Sequence, residues 1–200
     1  FGFGAAFLLA AGTSAFLARV QAPAQPTVAA QPAPPAAAPR IMVVGDDGPE
    51  GTIRRADPVF EAALAAFEAE LRRAGFVVAD GRAISTVNEA QDRARRADGE
   101  IVQLARRQQR DAIDDVVVFS LFVRLQFAIN AQTLSGRGTA TLLRAADSAR
   151  IGNFEAFTPT TWPLATDCAR TCQVQTTGAE APVVAQDLAG QVTAALRNAR

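Results

Sequence analysis

Along this chain the apolar positions change rhythm several times, and each rhythm predicts a different element. Residues 1–18 carry no charge, and the first charged residue is Arg19. Eighteen helical residues at ~1.5 Å rise span about 27 Å, close to the ~30 Å hydrocarbon core of a bilayer. Phe1, Phe3, Phe7, Leu8, Leu9, Phe16 and Leu17 supply apolar bulk, while Gly2, Gly4, Gly12 and Ser14 keep the helix slim enough for close packing in lipid. We therefore expect a retained membrane anchor over residues 1–19. A secretory signal cut near Thr13-Ser14-Ala15 and a soluble apolar arm are the alternatives. A pilin-like helix is set aside, because the carboxylate it needs near its fifth position is replaced by Ala5.

Residues 20–39 have no periodicity. Between Gln21 and Pro39 the stretch QAPAQPTVAAQPAPPAAAP holds six prolines and no charge. Such a composition favours extended polyproline II at ~3.1 Å per residue, a semi-rigid spacer of up to roughly 60 Å. A disordered junction would give the same topology.

From residue 40 to 200 the pattern is that of one folded domain. RIMVVGDD, Arg40 to Asp47, is a short apolar run ending in a Gly-Asp turn and predicts a buried strand. A helix follows, with Asp57 as N-cap and Pro58 at its first position. Phe60, Leu64, Phe67, Leu71 and Ala74 share one helical face, and Gly75 stands where a left-handed cap belongs. Phe76 to Asp80 predicts a second strand, completing a βαβ-like unit. Thr86 and Glu89 match a capping box, so a second helix is expected from there. Its seam is Val87, Ala90, Ala94, Ala97, Ile101 and Leu104. Arg93, Arg95, Arg96, Arg106, Arg107 and Arg110 cover its other faces, interleaved with Asp92, Asp98, Glu100 and Asp111 as a solvated surface.

The period then drops to two. Phe119, Leu121, Val123, Leu125 and Phe127 alternate with Ser120, Arg124 and Gln126, which predicts a strand with one buried face. SGRG, Ser135 to Gly138, is expected to be a hairpin turn before the strand TATLLRA; it lacks the spacing and Lys of a phosphate-binding loop. ARIGNFEAF predicts one more short strand. A closing helix is expected over 182–197, with Val184, Leu188, Val192 and Leu196 on one stripe. The expected fold is therefore α/β (α+β), a β-α-β-α-β-β-α sandwich with helices against a mixed sheet, behind one transmembrane helix and a Pro-rich linker.

Composition narrows the function. All twenty basic residues are Arg, matched by twenty acids, so there is no basic excess for nucleic acid. The chain contains no His, Lys or Tyr, which removes the commonest general bases and Schiff-base nucleophiles.

The order of these elements, carried by IMVVGDD, FEAALAAFEAELRRAGFVVADGRAIS, DDVVVFSLFVRLQ, the second hairpin and the terminal helix, resembles a known group. It is similar to the envelope domain shared by the curli secretion lipoprotein CsgG, the peptidoglycan-synthase activator LpoB, the middle part of the flagellar protein FlgT and the TolB amino-terminal domain. The resemblance covers residues 40–200 and implies a secretion, scaffold or activator part that is not an enzyme. Unlike the lipoproteins of that group, this chain has no lipobox Cys after its apolar segment, so a protein helix takes the place of the lipid. Long amphipathic hairpins of the kind a secretion pore needs are also lacking.

Cys168 and Cys172, the only two cysteines, are expected to form a local disulfide in an oxidising periplasm. Two thiols without His leave a metal tetrahedron half empty, so neither a metal nor a cofactor is expected. Trp162, the lone tryptophan, either covers the underside of that loop or anchors a partner. Asp46, Asp47 and Glu50, and Asp111, Asp114 and Asp115, are acid clusters that a Ca²⁺ site or a glycan hydrolase could use. Loop and strand-edge roles are the commoner explanation. The expectation is a non-catalytic, single-pass inner-membrane protein with its domain in the periplasm, a scaffold or adaptor for other envelope or inner-membrane proteins and possible as an oligomer. An accessory single-helix subunit of a respiratory or photosynthetic complex is the alternative, and a cell-wall glycan hydrolase a distant third.

Overall fold

The computed structural model describes residues 38–46, 51–88, 94–109, 112–128, 131–164 and 168–199. The predicted membrane segment and most of the Pro-rich spacer lie outside them. Among the described residues no helix is long and apolar enough to cross a membrane.

Strand β1, Arg40–Gly45, is apolar on both faces and runs between two parallel neighbours, β2 (Val77–Asp80) and β5 (Asp115–Ala128). Its pleat divides the core. Ile41 and Val43 point into one apolar cluster, and Met42 and Val44 into a second on the opposite side. The first cluster lies under helices α1 (Pro58–Arg73), α3 (Arg170–Gly178) and α4 (Ala181–Asn198); the second lies under α2 (Asp98–Gln108). Antiparallel strands β6 (Ala131–Arg144) and β7 (Arg150–Phe157) extend the sheet to the order β2-β1-β5-β6-β7, and the short β8 (Trp162–Pro163) also pairs with β6. The sheet is mixed and carries helices on both faces.

Local signals place α1 where the sequence puts it. The Asp57 carboxylate accepts from the Val59 N–H at 2.9 Å, and Pro58 opens the helix. At the other end Gly75 has φ +96°, and the Phe76 N–H reaches back to the Leu71 carbonyl. The Gly75 N–H takes the Arg72 carbonyl, which completes a Schellman cap. The closing helix also follows its stripe: Val184, Leu188, Val192 and Leu196 are all buried.

Two expectations are corrected. The second helix does not start at Thr86. Residues Val87–Asn88 and Ala94–Arg95 form a small antiparallel ribbon, β3 and β4, and α2 begins only at Asp98. The Thr86 hydroxyl donates to the Asp46 carboxylate at 2.5 Å rather than capping a helix. Glu100 instead accepts from the Ala97 N–H and closes the real start. Glu89 lies outside the described residues.

The second correction concerns SGRG, which is not a turn. It sits inside β6, and the β5–β6 ladder runs unbroken from the pair Asp115–Arg144 to the pair Ala128–Ala131. Packing explains the glycines. A Cβ on Gly138 would stand 2.6 Å from Leu188 Cδ1 and 2.8 Å from Val184 Cγ1, so α4 can approach β6 only over bare backbone. Gly138→Ala is expected to lower stability by roughly 1–3 kcal/mol through overpacking, seen as a lower urea midpoint.

Candidate functional site

Helix α2 has eleven residues and β5 and β6 have fourteen each. At ~1.5 Å per helical residue and ~3.3 Å per strand residue, a layer about 16 Å long lies on strands about 46 Å long. One helix therefore cannot cover that face, and its second cluster ends at Val116, Val118 and Leu143. Beyond it the face carries side chains from the distal half of β5, β6 and β7.

The register fixes their arrangement. Phe122 pairs with Arg137 and Arg137 with Phe157, so an arginine stands between two phenylalanines in one row across three strands. The Arg137 guanidinium lies 5.2 Å from the centroid of Phe122 and is also paired with Glu155. Arg124, opposite Ser135, lies 5.5 Å from the centroid of Phe157 and has no acidic partner among the described residues. Phe157 is 44% exposed. Each exposed cation–π contact is worth about 0.5–1 kcal/mol, enough to bias the guanidinium towards lying flat. Arg124 and the exposed Phe157 ring can bind an acidic or aromatic group, while the charge of Arg137 is already met by Glu155. Sequence reasoning placed Arg124 on the polar side of β5 but missed this row. The available signal was Phe122, an aromatic residue on the otherwise polar stripe.

At the inner border of this face sits a buried carboxylate. Asp46 follows β1 and is 2% exposed. Its N–H donates to the Phe119 carbonyl at 2.7 Å. Its carboxylate accepts from Thr86 Oγ1, from Arg95 Nε at 3.2 Å and from Ser120 Oγ at 3.5 Å. Arg95 also reaches Asp98, and Asp98 is held by Arg150. The chain Asp46–Arg95–Asp98–Arg150 thus ties β1 to the ribbon, the first turn of α2 and β7. Asp98 and Glu100 at that first turn also suit the helix dipole. This constellation positions elements, and its central carboxylate is occupied by donors of the fold itself.

The other sequence candidates are dispersed. Asp47, Glu50 and Asp111 lie outside the described residues. Asp114 accepts from the Arg40 N–H at 2.7 Å, and Asp115 is buried at the start of β5. Among the described residues no three metal-ligating side chains come together. The Asp147 carboxyl, at the β6–β7 turn, is held below the usual carboxylate range first by the Ala149 N–H and further by Arg144. Trp162 stands opposite Leu134 in β8, half-buried and packed on the rim of the larger core cluster.

Cys168 and Cys172 are joined in a disulfide with Cα atoms 5.5 Å apart. The bond flanks the start of α3, a helix the sequence reading did not foresee. Beside it, residues 51–59 and α3 line a cleft of about 850 Å³ that includes Arg54, Asp57, Val59, Arg170 and Val174.

No protein-family model and no curated protein matches the chain. Among solved structures it is similar in outline to a Xanthomonas campestris protein of the DUF330 family model, at 12% identity over 84% of this chain and 91% of that one, TM-score 0.44. It is also similar to lipoprotein GNA1162 from Neisseria meningitidis, at 16% identity over 80% and 96%, TM-score 0.39. A minor lipoprotein from Acinetobacter baumannii, at 13% identity over 77% and 87%, has a TM-score of 0.40. All three are bacterial and two are lipoproteins, but identities and TM-scores this low establish neither a common fold nor a common role.

Proposed function

We propose that this chain is a non-catalytic, membrane-tethered adaptor subunit of a bacterial envelope assembly, with its folded domain in the periplasm. The observation that carries the reading is the distal part of this sheet face, where Arg124 and Phe157 are exposed beside the half-buried Phe122 and Arg137. Support also comes from the charge-free apolar segment and the Pro/Ala spacer ahead of the domain, which suit attachment and reach. The paired cysteines suit an oxidising compartment.

The assembly it serves is secretion, pilus, flagellar or cell-wall machinery. A second reading has its own support: Gly2, Gly4, Gly12 and Ser14 would let the apolar helix itself be the main contact of a respiratory or photosynthetic accessory subunit.

The test is photo-crosslinking from position Phe157 of the full chain in envelope membranes, repeated with Arg124→Glu and with residues 1–19 replaced by an unrelated membrane-anchor helix. An adaptor is expected to lose its crosslinked partner at least tenfold with Arg124→Glu and to keep it in the anchor-exchange variant. Loss only on anchor exchange would favour the accessory-subunit reading. Release of sugar fragments from peptidoglycan by the purified chain would overturn both.

A further inference from the structure

Helix α3 is a poor helix by every local criterion. It has nine residues, below the ~12–15 at which an isolated helix becomes even marginal. Its sequence RTCQVQTTG carries three threonines and a valine, whose branched side chains disfavour helix. The N-cap is Ala169, which makes no side-chain cap bond, and the first turn holds no acid. Only Val174 and Thr177 are buried beneath it. What the other helices gain from caps or a long apolar stripe, α3 lacks.

It has instead a covalent bond across its start. Cys168 precedes the N-cap and Cys172 is the third helical residue, so the disulfide spans the first turn and holds it wound. The loop it closes is so short that it contributes little to global stability through chain entropy. Its effect is local. Cys172 is exposed and Cys168 half-buried, so the bond can be reached without unfolding. Two further clasps fix the same turn: Arg170 donates to the carbonyls of Gly51 and Thr52, and Gln173 Nε2 donates to the Cys168 carbonyl at 3.0 Å.

We propose that the Cys168–Cys172 bond is a thiol–disulfide exchange site for a dithiol reductant, and that its reduction unwinds α3 and with it one wall of the adjoining cleft. A thiolate of the dithiol attacks Cys168 Sγ. The S–S electron pair leaves on Cys172 Sγ, in the first turn of α3, where the helix N–H groups stabilise a thiolate. The second thiol of the dithiol then attacks the mixed disulfide and releases Cys168. The dithiol ends oxidised to its own disulfide, and its two protons end on Cys168 and Cys172. This site is independent of what the sheet face binds.

The experiment takes the folded full chain, adds dithiothreitol without denaturant, alkylates the thiols for mass spectrometry and follows amide exchange. Both cysteines are expected to become alkylated. Amides of α3 should exchange more than tenfold faster while those of α4 stay unchanged, and the double variant Cys168→Ala, Cys172→Ala should show the same pattern without reductant. Brief treatment with glutathione should leave its first adduct on Cys168. Thiols protected until urea unfolds the domain, or equal α3 exchange in the oxidised, reduced and variant proteins, would overturn the proposal. A first adduct on Cys172 would overturn the order of attack.

Discussion

Replacing Asp46 by Ala is expected to lower the unfolding free energy by about 2–4 kcal/mol, with Asp46→Asn costing roughly half as much. Removing one partner of a buried ion pair commonly costs about 3–5 kcal/mol, because the other charge is left desolvated and unpaired. Here Arg95 is 35% exposed on its side chain and can turn towards water, which lowers the figure. The Thr86 and Ser120 hydroxyls have no such escape, since both residues are buried. Asn keeps an oxygen for Thr86 and has the shape of the original, hence the smaller loss. Urea unfolding of each variant checks the ranking. Amide exchange should also rise in the β3–β4 ribbon, which the carboxylate pins through Thr86 and Arg95.

Phe119→Ala is expected to cost about 3–5 kcal/mol, the range for truncating a fully buried aromatic residue. Phe119 is fully buried in the larger core cluster. Its ring centroid lies 5.5 Å from that of Phe60 and 5.2 Å from that of Phe67, joining the sheet to α1. Neither neighbour can collapse into the hole without leaving its own place on the helix. Leu125, on the same face of the same strand but 37% exposed, makes the internal control. Leu125→Ala should cost less than about 1 kcal/mol, because little surface leaves water there. A midpoint that falls steeply for Phe119→Ala and barely for Leu125→Ala, at an unchanged urea slope, is the expected outcome.

Features whose cause lies within a few residues were legible in the sequence. The α1 start at Asp57-Pro58 and its end at Gly75 are local capping chemistry, and the α4 stripe is simple periodicity. Features whose cause lies far away were not. Thr86 looks like a helix cap, but its hydroxyl is taken by a carboxylate forty residues earlier. Gly136 and Gly138 look like a turn, but they are there for Thr158 and α4. Helix α3 left no signal because its own residues scarcely favour it. The candidate face was half legible: Arg124 lay on the polar stripe, but its neighbour Phe157 comes from another strand by register alone.

The central proposal, a domain held at the membrane and facing the periplasm, is tested most directly by protease treatment of spheroplasts expressing the full chain, with carbonate extraction of the membranes. The expected result is a chain that stays with the membranes at alkaline pH, whose domain is digested from outside and whose two cysteines resist alkylation until reduced. A chain that is released freely, protected inside the cell and alkylated without reductant would contradict it.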